Sequence, residues 1–247
     1  MEIPRGPRLF VASHLTVDAV TALDRDQINY LVNVLRLGAG SPLLAFNGRD
    51  GEWLCEVEPV SRKDIVLRAR QQTRAQPPPA DLHYLFAPLK SARLDYMAQK
   101  AVEMGASLLQ PVLTRRTQVS RINVDRLAAN AVEAAEQCGI LSVPPVAPEL
   151  KLERLLDSRD ERRLLIFCDE DAPVANPVKA LTDVAEGSRQ PLALLIGPEG
   201  GFDEQERRLL LAQPRIIRLS LGPRILRADT AAVAALAIIQ ASLGDWT

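Results

Sequence analysis

Two short apolar runs near the C-terminus limit the possible folds, because each one breaks off abruptly into a loop of glycine and proline. Leu192–Ile196 is followed by GPEGGFD, and Ile216–Leu219 is followed by SLGPRILRADT. Apolar runs this short, bounded by glycine and proline, are typical of buried strands. We call residues 197–203 the first glycine loop and residues 220–227 the second glycine loop. Each loop leads into a predicted helix, which indicates strand–loop–helix units.

The two glycine loops also predict a ligand site. Open α/β sheets bind ligands beyond the carboxyl ends of their strands, and glycine lets a ligand approach the main chain. Neither loop contains GxGxxG, and the first lacks the Lys-Ser/Thr pair of a phosphate-binding P-loop. Glu199 would repel a di- or triphosphate, so a neutral or cationic ligand with an apolar ring is expected. Alternatively, the two loops are only tight connections between a strand and a helix and bind no ligand.

The rest of the chain divides at one proline-rich segment. Residues 74–80 (RAQPPPA) are predicted to be a linker, because their three prolines cannot join a helix or a central strand. Residues 1–73 contain short strand patterns around one helix, which indicates a small β-barrel. Residues 81–247 alternate strands and helices, the pattern of an α/β domain with a largely parallel sheet.

The periodicity predicts individual elements. The expected strands are 9–12, 43–46, 52–60, 65–69, 82–88, 108–113, 164–168, 192–196 and 216–219. The expected helices are 26–37, 92–104, 125–138, one beginning near 204, and about 230–243. Asp203 and Glu206 have the spacing of a capping box at the start of the fourth helix. The last helix has almost no polar side, so it is expected to be buried all round.

Composition excludes several classes of protein. The net charge is −1 and 47% of the residues are hydrophobic, so no global basic field points to nucleic acid. The three cysteines are widely spaced and only two histidines are present, so neither a metal site nor a disulfide framework is expected. The N-terminus shows no signal-peptide pattern and no apolar run is long enough to span a bilayer. These features predict a cytoplasmic protein.

Seven segments, in order, resemble the ribosomal RNA small subunit methyltransferase E family. They are RLFV (8–11), LVNVLRL (31–37), KSARLDYMAQKAVEMG (90–105), PVLTRRT (111–117), EAAEQCG (133–139), IGPEGGF (196–202) and LGPRILRADTA (221–231). The resemblance implies a SPOUT-type enzyme that uses S-adenosylmethionine to methylate N3 of a uracil in 16S rRNA. It also implies a PUA-like RNA-binding domain over 1–73, and over 81–247 a methyltransferase domain with a C-terminal trefoil knot that forms a homodimer.

The resemblance further implies site residues. Those expected to hold the cofactor are Ile196, Gly197, Pro198, Gly200, Leu219, Leu221, Gly222, Ile225 and Leu226. Those expected to contact RNA are Arg8, Arg36, Lys90, Arg115 and Arg116. The chain departs from the family pattern at two positions. Asp229 stands where glutamate is usual, which keeps a carboxylate on a shorter side chain. Ile140 stands where arginine commonly follows EQCG, which removes a charge and puts any role of that position in doubt.

The expected chemistry assigns roles to charged residues of the loops. Removing the N3 proton places negative charge on the uracil oxygens, which a nearby cation stabilises. Arg224 and Arg227 are the candidates, while Asp229 or Glu199 takes the proton or orients an arginine. Alternatively, these arginines are structural partners of the same carboxylates. Two other functions also stay open: a SPOUT enzyme acting on ribose 2′-hydroxyls of tRNA, and a non-catalytic RNA-binding factor.

Overall fold

The chain forms two compact units. Unit 1 comprises Met1–Pro79 with Ala135–Val143, and unit 2 comprises Ala80–Ala134 with Pro144–Thr247. The computed structural model describes residues 6–61, 64–78, 80–119, 121–173, 176–184 and 190–246. The boundaries expected at 73 and 81 stay a prediction, and Pro79 of the expected linker lies outside the described residues. The inclusion of Ala135–Val143 in unit 1 was not expected from the sequence.

Unit 1 is built on a five-stranded sheet. Its strands are β1 (Arg8–Phe10), β2 (Val20–Ala22), β3 (Pro42–Phe46), β4 (Glu52–Pro59) and β5 (Ile65–Arg74). Their order is β1-β3-β4-β5-β2, with β1 parallel to β3 and the other pairs antiparallel. The small β-barrel expected from the sequence is confirmed in the form of a half-barrel sheet, in which β1 and β2 are the two edge strands. The strand pattern missed β2, which has only three residues.

The helix of unit 1 differs from its prediction. Helix α1 spans only Arg25–Asn29 and continues as a π-helical turn over Tyr30–Val34. Arg36 then adopts a left-handed backbone with φ of 55°. Apolar spacing predicted one α-helix over 26–37, because it cannot distinguish the wider π turn from an α turn. Leu31 points into the core formed by the sheet, where it is fully buried.

Unit 2 is an α/β layer structure around a six-stranded sheet. Its strands are β6 (Leu82–Phe86), β7 (Leu108–Leu113), β8 (Leu150–Lys151), β9 (Leu164–Cys168), β10 (Leu192–Ile196) and β11 (Ile216–Leu219). Its helices are α2 (Ser91–Glu103), α3 (Val124–Gln137), whose C-terminal end belongs to unit 1, α4 (Leu152–Ser158), α5 (Pro177–Thr182), α6 (Glu204–Leu211) and α7 (Ala228–Leu243). The expected α/β domain with a parallel sheet is confirmed, since the order is β11-β9-β10-β6-β7-β8 and every pair is parallel.

Within one chain, helix α7 is buried on one side only, so the expectation of burial all round stays a prediction. Ala232, Ala235, Leu236 and Ile239 are nearly inaccessible to solvent. The opposite side is equally apolar but only half-buried; its residues are Val233, Ala234, Ala237 and Ile238. None of the helices in the described part of the chain is long and apolar enough to cross a membrane. The trefoil knot stays a prediction.

Candidate functional site

The two glycine loops leave the same edge of the unit 2 sheet. Strands β10 and β11 both pair with β9 in parallel, so all three carboxyl ends lie side by side. The segment after β9 contacts the first glycine loop: a Cβ atom on Gly201 would lie 2.9 Å from Glu170 Oε1. Gly201 has φ of +68°, a conformation that favours glycine. This edge is where open parallel sheets bind ligands.

The first glycine loop is fixed to the start of α6 by the predicted capping box. Asp203 Oδ1 accepts from the N–H of Glu206 at 2.7 Å, and Glu206 Oε2 accepts from the N–H of Asp203 at 3.0 Å. Glu206 is only 1% exposed, and its other oxygen accepts from the N–H of Arg115 at 2.7 Å. One buried carboxylate therefore holds the first glycine loop against the turn after β7.

Three arginines also hold the first glycine loop. Arg93 of α2 forms an ion pair with Glu199. Arg115 Nη1 lies 3.1 Å from Asp203 Oδ2, and Arg116 Nη1 donates to the carbonyl oxygen of Gly200. Arg115 and Arg116, predicted to contact RNA, thus bond to the protein itself. The sequence reasoning missed Arg93, because 106 residues separate it from Glu199 and no local spacing links them.

A buried carboxylate after β9 joins the elements that carry both loops. Asp169 Oδ1 accepts from Arg207 Nη2 of α6 at 2.8 Å, and Asp169 Oδ2 accepts from Arg218 Nε of β11 at 2.9 Å. The Asp169 side chain is 2% exposed. Burial alone would lower the pKa of Arg207, but a hydrogen bond to Asp171 and the nearby carboxylates raise it. Asp169 was not predicted as a site residue, although its position directly after β9 was a signal.

The predicted cofactor residues gather at this edge. Ile196, Pro198 and Leu219 are buried, whereas Gly197, Leu221, Gly222 and Leu226 are half-buried, and Gly200 and Ile225 are exposed. Gly222 has φ of +96°, and no atom lies within 4 Å of the position that a Cβ would take. The second glycine loop therefore presents open backbone next to apolar side chains. A ligand can therefore approach the main chain closely at Gly222, as the glycine loop predicted.

The charged residues of the second glycine loop are accessible. Arg224 and Arg227 are exposed, and within the described residues neither forms an ion pair. Asp229 Oδ1 accepts from the N–H of Thr230 at 2.8 Å. The alternative in which these arginines are structural partners of Glu199 or Asp229 has no counterpart among the described contacts, since Glu199 pairs with Arg93.

Other ionisable groups near the loops do not suit nucleophilic chemistry. Burial raises the pKa of the Cys168 thiol to about 12, so the thiol is protonated at neutral pH. Burial also raises the pKa of Tyr84 well above its usual value, with smaller effects from Cys168 and Asp229. No group of three or more histidine, cysteine or acidic residues suited to a metal ion occurs in the part of the chain that is described.

The two residues of unit 1 that were predicted to contact RNA, Arg8 and Arg36, differ in their exposure to solvent. The side chain of Arg8 is 10% exposed and lies 2.9 Å from Glu52 Oε2. It also donates to three carbonyl oxygens in the segment Ala135–Val143, including that of Ile140 at 2.9 Å. These bonds occupy the guanidinium and give Arg8 a structural role. Arg36 is exposed, as is Lys90 in unit 2.

Glu52 is the centre of this unit 1 cluster. Burial acts to raise the pKa of Glu52, but hydrogen bonds from Arg74, Arg8 and Thr73 outweigh it and lower the pKa. Arg74 also donates to the carbonyl oxygen of Gly139 at 2.8 Å. The backbone of the EQCG segment is therefore part of unit 1. Ile140 contributes its carbonyl oxygen to this cluster, a contact that does not depend on its side chain.

Comparison with known proteins adds independent findings. Residues 76–240 match the model of an RNA methyltransferase domain, and residues 23–69 match that of an RNA methyltransferase PUA domain. The ribosomal RNA small subunit methyltransferase E of Rickettsia conorii is 28% identical over 94% of this chain and 94% of its own length. The protein of the same name from Synechocystis sp. is 30% identical over 96% of this chain and 78% of its own length.

Solved structures are also similar to this chain. The crystal structure of a ribosomal RNA small subunit methyltransferase E from Neisseria gonorrhoeae, bound to S-adenosyl methionine, superposes with a TM-score of 0.86. It is 26% identical and covers 98% of this chain and 100% of its own. A Legionella pneumophila protein in complex with the cofactor SAM has a TM-score of 0.81 and 28% identity, covering 96% of this chain and 98% of its own.

Proposed function

The chain belongs to the ribosomal RNA small subunit methyltransferase E family, and on that premise we propose that it methylates 16S rRNA of the small ribosomal subunit with S-adenosylmethionine. The modified atom is N3 of one uracil. The observation that carries this proposal is the pair of glycine loops at one edge of a parallel sheet. The first loop is bonded to neighbouring parts of the protein, and the second presents the exposed cations of Arg224 and Arg227. Because the substrate is ribosomal RNA, the reaction takes place in the cytoplasm.

The residues at the sheet edge fit this cofactor. Its adenine requires an apolar slot with backbone polar groups, and the ends of β10 and β11 supply both at Ile196 and Leu219. The open backbone of Gly222 allows the close approach. Glu199 adds a carboxylate near the sulfonium charge, although Arg93 partly neutralises it. When bound, the cofactor supplies an electrophilic methyl group.

The second glycine loop carries the chemistry in this proposal. Arg227 and Arg224 stabilise the negative charge that develops on the uracil oxygens when N3 loses its proton. Asp229 accepts that proton or orients Arg227, since its only described bonds are to Thr230 beside it. Glu199 is the weaker candidate for the base, because its carboxylate is already occupied by the ion pair with Arg93.

Unit 1 provides a further RNA contact in this proposal. Arg36 is the proposed contact there, because it is exposed and held in a left-handed conformation, which is uncommon for residues other than glycine. Strained backbone of this kind often occurs at functional sites. Arg8 supports the fold of unit 1 instead.

The proposed enzyme is a homodimer formed through unit 2. The half-buried side of α7 presents Val233, Ala234, Ala237 and Ile238, which share one face of the helix. An apolar helix face that one chain leaves half-covered is a surface that a second copy would bury.

The test is methyl transfer from labelled S-adenosylmethionine to unmodified small ribosomal subunits, naked 16S rRNA and bulk tRNA. Reverse transcription then locates the product, because an N3 methyl blocks the Watson–Crick edge and stops the polymerase. Label in 16S rRNA with one stop at a uracil is the expected result. Label only in tRNA without a stop would indicate ribose methylation, and no label from a folded protein would favour the non-catalytic factor.

A further inference from the structure

A concave pocket of about 300 Å³ lies in unit 2, between the first turn of α2 and the first turn of α3. Its lining includes Lys90, Arg121 and Arg126 together with one acidic residue, Asp95. Three cations and one anion give this pocket a formal charge of +2, in a chain whose net charge is −1. A concave surface with an excess of one charge concentrates ligands of the opposite charge.

The cations of the pocket are available to a ligand. Lys90 and Arg121 are exposed, and neither forms an ion pair with any residue in the described ranges. Arg126 is held in place, since its Nε donates to Asp95 Oδ1 at 3.0 Å. Asn130 Nδ2 donates to the same oxygen at 2.8 Å. The negative charge of Asp95 is therefore engaged in orienting Arg126.

Other features of the lining suit a phosphodiester with its sugar. Lys90 is the N-cap residue of α2, and a lysine side chain has no acceptor with which to cap the first N–H groups. Those groups add to the positive potential at this end of the helix. Leu94 and Leu127 are 8% and 1% exposed and form an apolar floor. Anionic oxygens at the rim and a ribose against the floor would satisfy both kinds of surface.

Two neighbours in sequence of the lining residues contact the first glycine loop. Arg93, which lies between Lys90 and Leu94 in α2, forms the ion pair with Glu199. Arg116, three residues before the lining residue Val119, donates to the carbonyl oxygen of Gly200. The first turn of α2 and the segment after β7 therefore contribute both to the pocket and to the contacts that hold the loop. A nucleotide bound here would be close to the reacting base.

We propose that this pocket binds a backbone phosphate of the substrate RNA, next to the nucleotide that is methylated. Lys90 and Arg121 contact the phosphate oxygens, Arg126 is the oriented donor, and Leu94 and Leu127 pack against the ribose. This inference rests on the proposed function, since it assigns part of the RNA to a site beside the glycine loops.

The test compares RNA affinity at different salt concentrations. Full-length Arg121→Gln and Lys90→Gln variants are titrated with unmodified 16S rRNA transcript between about 50 and about 200 mM salt. Each lost phosphate contact should make the slope of log K against log salt shallower by about 0.7 to 0.9. Across that range, each variant should therefore lose about threefold less affinity than the wild type does. Arg121→Lys should restore the wild-type slope, because it restores the charge.

Arg162→Gln is the matched control, because Arg162 is an arginine of unit 2 whose side chain is 87% exposed and pairs with Asp160 on the surface. Calorimetry with S-adenosylmethionine shows whether each variant keeps a folded cofactor site. One contrary result is that the wild type binds and methylates RNA while Arg121→Gln and Lys90→Gln have the same salt slope as Arg162→Gln. That result would overturn the proposal that the pocket binds a phosphate, but not the proposed function. A wild-type protein that neither binds nor methylates 16S rRNA would overturn the proposed function and the pocket with it.

Discussion

Replacing Asp169 with alanine should lower the free energy of unfolding of unit 2 by about 3 kcal/mol. The side chain of Asp169 is 2% exposed and its two oxygens accept from Arg207 and Arg218. Removing one partner of a buried ion pair generally costs about 3 to 5 kcal/mol, because the remaining charge stays buried without compensation. The lower end applies here, since the two arginine side chains are 18% and 30% exposed and Arg207 keeps its ion pair with Asp171.

This loss corresponds to a fall of about 6 to 12 °C in the melting temperature, at about 2 to 4 °C per kcal/mol for a unit of this size. Circular dichroism follows the transition, and its shift with added S-adenosylmethionine identifies it as that of unit 2. Asp183→Asn is the control, because Asp183 pairs with Lys179 on the surface, where the side chains are 57% and 72% exposed. It should change stability by less than about 0.5 kcal/mol. Equal effects of the two substitutions would refute the structural role of Asp169.

Three further predictions follow from the described contacts. Because the folded pKa of Glu52 is lowered from 4.5, its stabilisation is present above that pH and is lost as the pH falls below it. In urea titrations at falling pH, the Glu52→Gln variant should no longer show this loss of stability. If its stability depends on pH as that of the wild type does, Glu52 is not the group responsible. Gly201→Ala should cost about 1 to 2 kcal/mol, because φ is +68°, a conformation that residues other than glycine rarely adopt, and the exposed Glu170 carboxylate must also move aside; Gly38→Ala, at a position with no neighbour within 4 Å, should stay within about 0.5 kcal/mol. Arg227→Ala should lower methyl transfer at least about a hundredfold while cofactor binding and the unfolding midpoint stay unchanged, and turnover like that of the wild type would remove Arg227 from the mechanism.

Local signals in the sequence predicted the elements that carry the site. The buried runs of β7, β9, β10 and β11 have the bounds that were expected, because apolar residues stop abruptly at both of their ends. The capping box of Asp203 and Glu206 was also predictable, since both partners lie within one helical turn. The short strands β2 and β8 have three and two residues, too few for any alternation to be recognised.

The contacts that fix the site could not be predicted in the same way. Arg93 and Glu199 are separated by 106 residues, and Arg115 and Glu206 by 91. Such pairs depend on the strand order, which places β7 and β10 on either side of β6. The assignment of Ala135–Val143 to unit 1 could not be predicted either, because the proline-rich segment 74–80 was the one domain boundary that the sequence pattern indicated.

The two glycine loops differ in how firmly the protein holds them, and this difference fits the two tasks of a methyl transfer. The first loop is held at its backbone by Glu206, which accepts from the N–H of Asp203, and by Arg116, which donates to the carbonyl oxygen of Gly200, while Arg93 pairs with the Glu199 side chain. A loop that binds a cofactor through its main chain gains from such bonds, because less conformational freedom is lost on binding. In the second loop, Arg224 and Arg227 remain exposed and without an ion pair in the described part of the chain. Cations that stabilise charge on an RNA base must be accessible to that RNA, so carboxylate partners in the protein would compete with the substrate.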